Sequence, residues 1–371
     1  MPAYFESGFS VRQPMWHGLG TVLDEYPESW DEARMIGGLM WEPKAIPVWT
    51  ERPRTLITCT ECGEQFGYTH GFSCSANNGG EPPALVTAQD CELLEVVSSD
   101  GRMFVRTAFQ ATTRDDTGEA LGVVSDQWQA VTHADMGEML EALVGVDGHV
   151  KFETAGVLRG GKSVWALAYL DEPYTIPGDD SATYPYIALL NHHDGTGSAR
   201  ILPTQVRVVC WNTFSAAAAE GDRSGRQVII RHTGNVSERI EEAKHSLANL
   251  RADVAEYQEL TTQLAGINVD DALVRTFLER FIPTPENATD RTINDRAARQ
   301  EIFMGLYNES PTTDAVRGTA YGLLQTATEY LDHLRPYRSK DTYLTRTMLS
   351  NEPIKTGTLK LVRELVAAGT N

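Results

Sequence analysis

An α+β fold is predicted for this chain: an antiparallel, β-rich central platform, a long helix after it and a helical C-terminal third. Three observations predict it. The stretch HVKFETAGVLRGGKSVWALAYL, residues 149–170, is two β-patterned runs split by Arg159-Gly160-Gly161-Lys162. A second such stretch, residues 184–220, turns at Asp194-Gly195-Thr196-Gly197. From Val236 onward the apolar residues recur at helical rather than alternating spacing. Strands come first and helices afterwards, not in alternation, which separates this order from a doubly wound α/β protein.

Taken along the chain, residues 1–57 hold short apolar pieces around WHGLG (Trp16 to Gly20), too short for a long helix. Residues 58–80 read as an insertion dominated by Cys, Gly, Asn and Ser. ALVTAQ and MFVRTAFQATT follow as strand-like runs, with Asp100-Gly101 as a turn signal between apolar stretches. Asp115-Asp116-Thr117-Gly118 makes a further turn. In ADMGEMLEALVG, Met136, Met139, Leu140 and Leu143 fall on one helical face and Gly145 ends the helix. VSERIEEAKHSLANLRADVAEYQELTTQLAGI reads as one long helix, capped by Ser237 or Asn235, burying Ile240, Ala243, Leu247 and Leu250. DALVRTFLERF, DRAARQEIFMGLY and AYGLLQTATEYLDHL are three further helices, with Pro283 and Pro285 in a loop. The expected organisation is an N-terminal segment over 1–83, a central α+β domain over 84–268 and a helical region over 269–371.

With 371 residues, 41% of them hydrophobic, the chain can bury a full core. It shows no apolar leader after a basic start and no run of 18 apolar residues, so a soluble, cytoplasmic protein with no membrane partner is expected. A net charge of −19 argues against a protein that coats duplex DNA by bulk charge. The basic residues are nevertheless unevenly placed: Arg200, Arg207, Arg223, Arg226 and Arg231 stand against Glu220 and Asp222 alone.

Gly156 to Ser163 matches the phosphate-cradling pattern G-x-x-x-x-G-K-[ST] literally. That motif needs a helix after it, so that amides and the helix dipole face the phosphates. SVWALAYL reads as a strand instead, and the segment is expected to be a hairpin turn. Cys59, Cys62, His70 and Cys74 are ligand types of a tetrahedral, structural zinc site, in a segment with no core of its own. Their spacing is not a standard finger, and the alternative is three free thiols with His70 incidental. His192-His193-Asp194 is expected to be part of a polar turn rather than an acid/base or metal site. Trp128, Trp165, Tyr169, Tyr184, Tyr186 and Trp211 could offer stacking faces to unpaired bases, although strand positions favour burial. No Ser/His/Asp or Cys/His constellation is recognisable.

Several segments together resemble one family. WHGLG, FETAGVLRGGKSVWALAYL, LLNHHDGTGSARILPTQVRVVCWNT, IRHTGNVSERIEEA and GTAYGLLQTATEYLDHLR occur in the order found in the phage/plasmid-like proteins catalogued as domain of unknown function 932. The Cys-rich segment at 59–74 departs from that pattern. The resemblance implies a protein encoded by a phage, prophage or plasmid and implies no activity by itself. Such elements often carry recombination functions, and the strand-strand-helix order with basic hairpins is compatible with single-strand annealing.

The functional expectation is therefore a homo-oligomeric, ATP-independent protein that binds and anneals single-stranded DNA. Arg159, Lys162, Arg200, Arg207 and Arg231 would contact phosphates, and Trp165 and Trp211 would stack on bases. The alternative is an acidic protein that binds host machinery, or a phage assembly partner, with its arginines paired to its own carboxylates.

Overall fold

The computed structural model describes residues 5–12, 19–51, 57–58, 65–66, 95–97, 103–144, 150–170, 172–207, 212–214, 228–245, 247–336 and 352–369. It is a mixed α+β fold, as expected. The chain opens with β1 (Phe5–Val11), β2 (Thr21–Leu23), α1 (Trp30–Gly37) and β3 (Pro43–Glu51). Short strands β4 (Ile57–Thr58), β5 (Gln65–Phe66) and β6 (Glu95–Val97) precede β7 (Met103–Arg114), β8 (Ala120–Ser125) and α2 (His133–Val144). The platform comprises β9 (Phe152–Leu158), β10 (Ser163–Tyr169), β11 (Tyr174–Thr175), β12 (Ala182–His192), β13 (Ala199–Arg207), β14 (Asn212–Phe214) and β15 (Val228–Ile230). Helices α3 (Val236–Lys244), α4 (Leu247–Ala265), α5 (Asp271–Phe281), α6 (Asp290–Glu309) and α7 (Ala320–Glu329) follow, then α8 (Glu352–Gly369).

The major sheet runs β14-β13-β12-β10-β9-β1-β2, with β15 also on β13 and β11 on β12. Among the described residues of this sheet, β1 and β2 pair in parallel and the other pairs are antiparallel. Its central strands are apolar on both faces, so SVWALAY reads as a continuous hydrophobic run rather than an alternating one. Val164, Ala166 and Ala168 face a core shared with α1, α2 and α3, where Met136, Met139, Leu140 and Leu143 are fully buried. Trp165 and Leu167 point the other way, into a cluster with Leu158, Tyr186, Ala188, Leu190, Leu202 and Val206. The residues of the N-terminal segment join the first core: Phe9, Val11, Trp30 and Trp41 are all buried in it. A smaller sheet, β3-β7-β6 with β8 also on β7, lies beside this body.

The long helix expected after the platform is two helices. Asn235 caps α3, accepting from the Glu238 amide at 3.2 Å, and the helix ends at His245. Ile240 and Ala243 are buried against the sheet as expected, and the side chains of Leu247 and Leu250 lie outside the described residues. Further along α4, Val254 belongs to the sheet core, whereas Tyr257 and Leu264 belong to a separate helical core. The change from one core to the other falls within α4, between Val254 and Tyr257, rather than at the break. That helical core gathers Phe277, Phe303, Tyr321, Leu324 and Val362 from α5 to α8. Helix α7 passes into a π-helical turn, Tyr330–Leu334.

Candidate functional site

Two turns form one end of the major sheet. Leu158 pairs with Ser163, so residues 159–162 make the β9–β10 hairpin, with Arg159 at φ 57° and Gly160 at φ 67°. Two successive left-handed residues match the right-handed twist of the flanking strands. Gly161 follows at φ 90°, where a Cβ would lie 2.9 Å from the Trp41 ring, so a side chain there meets both strain and a clash. Because strand β10 follows the turn, the G-x-x-x-x-G-K-S match has no helix N-terminus to present to phosphates, and the hairpin reading holds. The neighbouring turn, between β12 and β13, is closed by Asp194, whose carboxylate accepts from the Thr196 amide at 3.0 Å. An ion pair of 3.0 Å from Arg159 to Asp194 and a 2.9 Å bond from the His193 amide to the Lys162 carbonyl tie the two turns together.

This end collects four of the five predicted phosphate contacts. Arg159 and Lys162 sit half-buried on the first turn. Arg200 is exposed on β13, pairing with Leu190 on one side and Ile229 on the other. Arg231, also exposed, lies two residues beyond Ile229. Arg207 stands apart: the β12–β13 register is unbroken, so it lies seven residues along the strand from Arg200, about 23 Å away at about 3.3 Å per residue. Of the predicted stacking residues, Trp165 is 1% exposed and its indole donates to Thr154 Oγ1 at 3.2 Å, so its ring is enclosed by the fold. Trp211 lies outside the described residues, as do Cys59, Cys62, His70 and Cys74. Among the described residues no group of three or more His, Cys, Asp or Glu is placed to hold a metal ion.

The histidines differ from the polar turn expected of them. His192 ends β12, directly opposite Ser163, whose Oγ lies 3.0 Å from His192 Nδ1. Burial holds this imidazole below its ordinary pKa, with Asp194 pulling the other way. His193 is fully buried on the opposite face, its Nε2 3.2 Å from Nε2 of His133, which is also fully buried. His133 Nδ1 lies 3.2 Å from the Leu39 carbonyl, so it must donate there. Neutral His133 then accepts at Nε2 and His193 donates. Trp41 packs edge-on against both rings, with centroids 4.5 Å and 5.7 Å away. These inward histidines support the turn end from beneath. Adjacent His-His positions on a strand point to opposite faces, and that parity was the available signal for them.

The arrangement presents cationic side chains at the rim of a rigid sheet end, and the Ser163–His192 contact is a cross-strand polar pair beneath that rim. Among the described residues no helix is long and apolar enough to cross a membrane. No curated protein and no solved structure matches the chain. The family model described as "Domain of unknown function (DUF932)" matches residues 120–351, more than half of the chain and all of the platform, and the protein belongs to that family.

Proposed function

We propose that this is a phage- or plasmid-encoded protein that binds single-stranded DNA at the turn end of its major sheet and promotes annealing without ATP, as a homo-oligomer. The observation that carries the reading is the gathering of Arg159, Lys162, Arg200 and Arg231 at one end of the sheet of a chain with net charge −19. Local cation clusters on an acidic body direct a polyanion to one place and repel it elsewhere. Arg200 and Arg231, both exposed, supply the first contacts, and the tied turns hold Arg159 and Lys162 behind them.

Fluorescence anisotropy of a labelled single-stranded oligonucleotide across a salt series tests this, with a duplex control. Three to four phosphate contacts predict a slope of log K against log salt of about −2 to −3. Arg200→Ala/Arg231→Ala lowers that slope by about 1.4. Absence of binding at the lowest salt would refute the proposal. One observation favours the second reading, an acidic protein with a host or phage protein as partner: Arg159 is already paired with the chain's own Asp194. Under that reading the double variant leaves nucleic-acid behaviour unchanged and a protein partner co-purifies.

A further inference from the structure

The opposite end of the sheet carries a different kind of site. The β9–β10 register skips a residue between Thr154 and Phe152, and Glu153 is the extra residue of the bulge. A bulge redirects a side chain. Here the Glu153 carboxylate is taken down among tyrosines, its side chain only 10% exposed. Tyr26 donates to its Oε2 at 3.2 Å. Tyr26 and Tyr169 stand edge to face with centroids 5.8 Å apart, and Tyr184 and Tyr186 pack on Tyr169 at 5.6 Å and 4.7 Å.

The occupant of this cage is the guanidinium of Arg12. It lies 5.0 Å over the Tyr26 ring, 3.6 Å from Glu153 Oε2 and 3.4 Å from the Tyr169 hydroxyl, and it also donates to the Tyr26 hydroxyl. A carboxylate, two hydroxyl acceptors and an aromatic face match a planar, delocalised, many-donor cation better than a compact ammonium. Two features distinguish Arg12 from a core residue. Its side chain is 51% exposed, so the occupant sits at the mouth while the carboxylate forms the floor. Its backbone is left-handed, φ 65°, a conformation unfavourable for a residue with a side chain. The receptor belongs to the rigid sheet and to the segment around Tyr26, whereas the plug hangs from the strained end of β1.

We propose that the Tyr26–Glu153–Tyr169–Tyr186 cage is a guanidinium-binding site, filled in cis by Arg12 and open, when Arg12 withdraws, to an arginine side chain of a partner polypeptide. The proposal is independent of DNA binding. Burial pushes the Glu153 carboxyl up, and Arg12 with the tyrosine hydroxyls pulls it the other way.

The test uses the full-length chain with Arg12→Gly and, separately, Arg12→Asn. Both replacements tolerate the left-handed backbone and empty the cage. Agmatine, an alkylguanidinium, is titrated against each, with putrescine as its amine counterpart. Agmatine is expected to raise Tm saturably by about 2 °C in both variants. Putrescine should bind at least about tenfold more weakly. The wild type, its cage already filled, should not respond, and Glu153→Gln added to either variant should abolish the shift. The proposal is overturned if neither variant responds, if putrescine matches agmatine, or if the shift survives Glu153→Gln. It is also overturned if neither variant folds, because Arg12 would then be an indispensable structural tie rather than a displaceable occupant.

Discussion

Removal of Lys355 should destabilise the helical region far more than the loss of any exposed cation. Lys355 on α8 and Asp332 in the π-helical turn are both fully buried, with Nζ 2.8 Å and 3.0 Å from the two carboxylate oxygens. At an effective dielectric near 20, two unit charges at this separation attract by about 6 kcal/mol, most of it offset by the cost of taking both out of water. Taking one away removes the attraction while the burial of the other remains, so Lys355→Met, which keeps the aliphatic stem, should lose roughly 3–5 kcal/mol. Asp332→Leu should lose a similar amount by removing the charge opposite the buried ammonium. The double variant Lys355→Met/Asp332→Leu should recover most of the loss, because replacing a buried pair with apolar groups is often close to neutral. Urea unfolding followed by circular dichroism measures all four proteins in one cycle. Additive single losses, or single losses under about 1 kcal/mol, would show that the pair is not a coupled buried unit, and the reasoning would fail.

Three further outcomes are expected. Gly156→Ala should cost roughly 2–3 kcal/mol in urea unfolding, since a Cβ there would lie 2.4 Å from the Trp165 ring and 2.5 Å from the Ser7 carbonyl oxygen; an unchanged midpoint would contradict the packing. Burial holds His133 down to about 4 and His193 well below its ordinary value, so the folded state takes up fewer protons than the unfolded one and stability falls as pH drops below about 6.5. His133 alone should contribute a loss on the order of 2 kcal/mol at pH 5, read as the difference in urea midpoint from pH 7.5 that shrinks in His133→Gln. Finally, purified protein should hold one equivalent of zinc by elemental analysis, lost together in Cys59→Ser and Cys74→Ser; a metal-free, stable wild type would leave these residues as free thiols.

Much of the architecture was legible in local pattern. Arg159-Gly160-Gly161-Lys162 and Asp194-Gly195-Thr196-Gly197 are tight turns of the sheet, because glycine and aspartate chemistry specifies turn geometry without outside help. The helical face of Met136, Met139, Leu140 and Leu143 is buried for the same kind of reason: period alone determines which side chains share a face. The single long helix was not legible as two, since no Gly or Pro around His245 marks an end between the two helices.

The candidate sites divide along the same line. Sequence determined by itself that cations would ride on turns and strands of an acidic chain, and that Gly156 to Ser163 would be a hairpin rather than a nucleotide loop. Tertiary structure decided that Arg159, Lys162, Arg200 and Arg231 meet at one end while Arg207 lies about 23 Å along β13. It also decided that Trp165 is core, that His133 and His193 share a hydrogen bond, and that Arg12 reaches Glu153. Each of these is a meeting between residues 30 to more than 140 positions apart, or the enclosure of one residue by several strands. Periodicity and turn chemistry act over a few residues, so they dictate which way a side chain points. Only strand order and register dictate what it meets there.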